Sequence, residues 1–116
     1  MAQYMILIYE SEAGYATAGP DTWQTAMEAH GRFAEQVVAQ GGKILGGDAL
    51  QPTATATSIR GDVVTDGPFA ETKDVFGGYY VIEADDLDGA IALAARVPAA
   101  RMGGCVEIRP VRGFLR

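Results

Sequence analysis

The chain has 116 residues, enough for one domain, and 48% of them are apolar, so a core can form without disulfides or a structural metal. Cys105 and His30 are the lone cysteine and histidine, which excludes an internal disulfide and a structural zinc site. A formal charge of −6 argues against direct nucleic-acid contact, which needs clustered Lys and Arg to neutralise phosphates. No run approaches the ~20 apolar residues of a membrane span. The first apolar run is too short, and lacks the basic lead, for a signal peptide. The expectation is a single soluble, cytoplasmic domain over residues 1–116.

Residues 4–9 (YMILIY) form an unbroken apolar run of strand length, expected to be a buried central strand. Residues 11–20 are rich in Gly, Ala and Ser and read as a loop. A helix is expected from Asp21, with Gln24 completing a capping box. Its apolar stripe runs through Trp23, Met27, His30, Ala34 and Val37, flanked by Ala26, Phe33 and Val38, and Gly41-Gly42 ends it.

KILGGDAL (43–50) and TATATSIR (53–60) are candidate strands, and Arg60-Gly61-Asp62 is a hairpin turn into a strand at 63–65. GGYYVIEA (77–84) is another strand. Asp85 is the expected cap of a second helix whose face is Leu87, Ala90, Ile91 and Ala94, with Pro98 stopping it. CVEIRPV (105–111) closes the order β-α-β-(β-β)-β-α-β. Apart from the inserted hairpin this is a ferredoxin-like α+β arrangement with both helices on one face of the sheet. The bare face is apolar and aromatic, and a second copy of the chain is the expected cover.

Two residues draw attention as chemistry. Asp66 opens the corner Asp66-Gly67-Pro68-Phe69. A turn Asp usually accepts the N–H two residues on, but Pro68 has none, so the corner either forms a turn with a weak cap or presents a carboxylate. His30 lies in an apolar stripe and needs a hydrogen-bond partner, either as a structural histidine or as a general acid or base. Gly31 beside it costs the helix ~1 kcal/mol relative to alanine and is expected to clear space near the imidazole. Tyr79 and Tyr80 face opposite sides of their strand. GGKILGGD fits neither nucleotide-binding glycine fingerprint. Ser11 and Ser58 lack any nucleophile motif, and Cys105 reads as packing.

The segments YMILIYE, DGPFAETKDVFGGYYVIEADDLDGAIALAARVPAAR and VEIRPV together resemble the YCII-related family, specifically its DGPF branch. The resemblance spans nearly the whole chain. It implies a ferredoxin-like dimeric α/β barrel. It also implies a cleft in which a His–Asp pair, here His30 and Asp66, acts on a small cyclic or aromatic molecule without a metal, nucleotide or flavin. Phe69 and Tyr79 or Tyr80 are the expected pocket walls, and Lys73 or Arg101 the expected counter-charge for a substrate carboxylate or phenolate. The rival readings are a non-catalytic ligand-binding accessory of a sigma factor and a haem-binding barrel with His30 as axial ligand.

Overall fold

A computed structural model describes residues 2–12 and 20–113, without the side chains of residues 20–23. The first strand, β1 (Ala2–Ser11), is longer than its apolar centre. It is followed by α1 (Pro20–Ala39), β2 (Lys43–Ala49), a 3₁₀ turn at Thr53–Thr55, β3 (Thr57–Arg60) and β4 (Val63–Asp66). The chain continues through β5 (Asp74–Ala84), α2 (Leu87–Ala94), α3 (Pro98–Arg101) and β6 (Cys105–Pro110). The order β2-β5-β1-β6 makes one antiparallel sheet, while β3 and β4 pair only with each other. This is the ferredoxin-like α+β topology, with the hairpin inserted between β2 and β5.

The two faces of the sheet follow from strand alternation. Tyr4, Ile6 and Ile8 of β1 and Ile82 and Ala84 of β5 are buried under the helices with Phe33, Val37, Leu93 and Val97. Met5, Leu7 and Tyr9 therefore face the other way. The β1–β5 register steps at Ile8/Tyr9, where Gly77 has no partner on β1 and Phe76 comes opposite Tyr9. Their rings lie 5.7 Å apart on the bare face.

Several local expectations are corrected. The inner face of α1 is Ala26, Phe33 and Val37, whereas Met27 and Val38 are 68% and 70% exposed. The expected stripe was centred slightly too far round the helix. Trp23 and the capping side chain of Asp21 lie outside the described residues, as do residues 13–19 of the expected loop. Gly41 and Gly42 do end α1: their N–H groups return to the carbonyls of Val38 and Val37, and Gly41 takes φ +80°.

Asp86, and not Asp85, caps α2, its carboxylate accepting the Gly89 N–H at 2.8 Å. The buried face of α2 is Ala90, Leu93 and Ala94, with Leu87 and Ile91 about half exposed. Pro98 does not terminate α2, which has already ended; it opens the short α3 as an early-turn proline. Pro52 likewise turns the first part of TATATSIR into the 3₁₀ turn, leaving only Thr57–Arg60 as strand. Gly61, at φ +59°, makes the expected tight turn between Arg60 and Val63.

Candidate functional site

His30 sits on the sheet-facing side of α1, half-buried, and its Nδ1 is 2.6 Å from the Tyr80 hydroxyl. The rings are 5.8 Å apart, and Tyr80 also packs on Phe33 at 4.8 Å. Sequence parity places Tyr80 here: it is directly opposite Ile6 and two residues before Ile82, both on the helix-covered face. The neighbouring strand allows the approach. A Cβ on Gly47 would lie 2.6 Å from the Tyr79 carbonyl oxygen and 2.9 Å from the Tyr80 ring, so no side chain fits there. Gly31, by contrast, faces open space and clears nothing near the imidazole.

Burial shapes both partners. It pushes the His30 imidazole below its ordinary value of 6.5, opposed by the negative charge of Glu10. It pushes the Tyr80 phenol above its ordinary value of 10.0. At neutral pH the pair is therefore a neutral imidazole bonded to a neutral phenol. With Oη–H donating to Nδ1, the other ring nitrogen carries a hydrogen. With Nδ1–H donating to Oη, that nitrogen presents a lone pair and the phenol proton points elsewhere. The two forms hold the same protons and differ in what they offer a ligand.

The other expected site residues lie elsewhere. Tyr79 points to the bare face, opposite Leu7. Asp66 ends β4 and is exposed. Its corner is held by backbone: the Gly67 N–H donates to Ala56 O at 2.7 Å, the Ser58 hydroxyl donates to Gly67 O at 2.7 Å, and Gly67 takes φ +97°. Phe69 is 82% exposed and lines, with Leu7, Tyr9, Leu50, Pro52 and Phe76, a cavity of about 710 Å³ on the bare face. Lys73 is exposed in the loop before β5. Arg101 is on α3, its Nε donating to the Ala95 carbonyl at 3.2 Å.

Within one chain, then, His30 meets Tyr80, while the DGPF corner leads into a cavity on the opposite side of the sheet. Tyr80 was one of two tyrosines offered by the sequence, and parity with Ile82 was the signal that could have chosen it. Glu12 is a further residue that sequence reasoning missed. Its carboxylate accepts both the N–H and the hydroxyl of Thr53, at 2.8 and 2.6 Å, tying the cavity rim to the end of β1. These bonds hold the Glu12 carboxyl below its ordinary range.

Among the described residues no group of three or more His, Cys, Asp or Glu is placed to hold a metal, and no helix is long and apolar enough to cross a membrane. The chain folds as an antiparallel ferredoxin-like sheet with an inserted hairpin, and a half-buried histidine projects from its first helix toward that sheet. The YCII-related domain matches residues 2–115, and the chain belongs to that family. It is also similar to an uncharacterised protein of Rhizobium meliloti (strain 1021), with 30% identity over 113 residues, covering 93% of this chain and 90% of the relative.

Proposed function

We propose that the chain works as a homodimer and carries a proton-transfer site for a small cyclic or aromatic molecule, centred on His30 and Tyr80. The observation that carries this reading is the 2.6 Å bond between two half-buried, neutral groups. A substrate that gives a proton to Tyr80 Oη and takes one from the outer ring nitrogen of His30 leaves the pair in its other tautomer. The phenol proton moves to Nδ1, the substrate's proton replaces it on Oη, and the charge is unchanged. Such a relay suits isomerisation or elimination, with no metal, nucleotide or flavin in the reaction. Asp66 then belongs to the structure of the corner and not to the imidazole, and the corner itself supports placement in the DGPF branch. The lone Cys105 suits a cytoplasmic setting.

Two features favour the second copy. The described chain is a slab of 42 × 39 × 18 Å with a radius of gyration of 15.4 Å, above the about 13 Å of a compact domain of this length. The bare face offers Met5, Leu7, Tyr9, Phe76 and Tyr79, and the hairpin beside it exposes Ile59, Val63 and Val64. A sheet-to-sheet dimer would cover both. Haem fits less well, because the large apolar cavity lies on the other side of the sheet from His30, whose Nδ1 is already engaged. A ligand-binding accessory of a sigma factor would use the same His30–Tyr80 pair without turnover.

The test is an NMR titration of the single histidine in the native protein and in Tyr80→Phe. The native midpoint should fall below 6.5 and move when the hydroxyl is removed. An ordinary midpoint indifferent to the substitution would sink the reading. Because the folded state binds this proton less readily than the unfolded chain, stability should also decline as pH falls from 6.5 through the lowered folded value.

A further inference from the structure

Arg32 on α1, Arg96 just after α2 and Arg101 on α3 line one open groove of about 410 Å³ on the helix-bearing side. Gln36 adds an amide, and Ala29, Pro98 and Met102 supply the apolar part; no carboxylate lines it. The chain has nine Lys and Arg against fifteen Asp and Glu, so three arginines meeting without an acid runs against its overall balance. Among the described residues the side chains of Arg32 and Arg96 make no hydrogen bond or ion pair. Glu28 and Glu35 lie within a turn of Arg32 on α1, yet Glu28 receives Gln24 at 3.4 Å instead. Arg101 spends its Nε on the Ala95 carbonyl, which fixes the guanidinium and leaves its terminal nitrogens available.

We infer that this groove binds a phosphate-bearing small molecule. A guanidinium presents a planar fork of donors that matches an oxyanion two bonds at a time. A carboxylate offers two oxygens, whereas a phosphate monoester offers three around one centre. Three forks from separate elements therefore suit the phosphate, and one of them, Arg101, is already held by the Ala95 carbonyl before any ligand arrives. The apolar floor of Pro98 and Met102 would take the organic part. The acidic remainder of the surface repels anions, so binding must come from this local cluster. The groove lies on the helix side, so a second copy on the bare face would leave it open.

The experiment is a calorimetric titration with pyrophosphate at low ionic strength on the native protein, on the double variant R32Q/R96Q and on R60Q. All three positions are exposed, so the variants should fold. The expected result is saturable binding that weakens about tenfold or more in R32Q/R96Q, through lost charge-assisted hydrogen bonds, and is unchanged in R60Q. Absence of saturable binding overturns the inference. So does an equal loss in R60Q, or equal suppression by sodium chloride of matched ionic strength in native and double-variant protein, since either leaves only general screening.

Discussion

The two faces of the sheet are finished to different degrees. Under the helices, Phe33, Ile6, Ile82, Val37 and Val97 are sealed from solvent, and the one histidine has found a phenol. On the other side, Leu7, Tyr9 and Phe76 line an open cavity whose rim carries Phe69 almost fully in water. The same strands build both faces, so the difference comes from what each face has been given to pack against. The helix-covered side is complete within one chain. The bare side has the apolar character of an interior with no interior formed around it.

That contrast can be broken or sharpened by substitution. Phe33→Ala should have the largest effect, costing about 3–5 kcal/mol in urea unfolding, because it opens a cavity in the sealed core and removes the ring that packs on Tyr80. Leu7→Asp should leave the monomer folded but place a charge on the bare face. Sedimentation should then show the dimer giving way to single chains, and an unaltered mass would contradict the proposed sheet-to-sheet assembly. Asp66→Asn should do least: its stability cost should stay within about 0.5 kcal/mol, and the His30 titration should not move. A displaced midpoint in that variant would mean that the carboxylate reaches the imidazole after all, through a second copy.

Much of the fold could be read directly from the chain. The apolar runs of β1, β5 and β6, the double glycine after α1 and the Arg60-Gly61-Asp62 turn each carry a local physical signal. The errors are equally local. Two adjacent aspartates compete to cap α2: β5 ends at Ala84, Asp85 is used up in the bend after it, and the cap falls to Asp86. Pro52 converts an alternating Thr/Ala run into a 3₁₀ turn, although the alternation itself reads as strand. Helical spacing put His30 on an inner face, but its partner is 50 residues away and depends on strand register. The pairing of Asp66 with His30 came from the resemblance, and within one chain His30 meets Tyr80 instead. Nothing in the sequence shows that the hairpin carries the corner around Asp66 to the other side of the sheet.

Gly47 has a consequence of a different kind. It sits on β2, an outer strand of the sheet, and has no side chain of its own. Yet the space it leaves empty is where the Tyr80 ring rests. Adding a single methyl group there would force the ring or the strand to shift, and the imidazole would lose its neighbour without being altered itself. The seating of the His30–Tyr80 pair thus depends partly on a missing side chain on another strand.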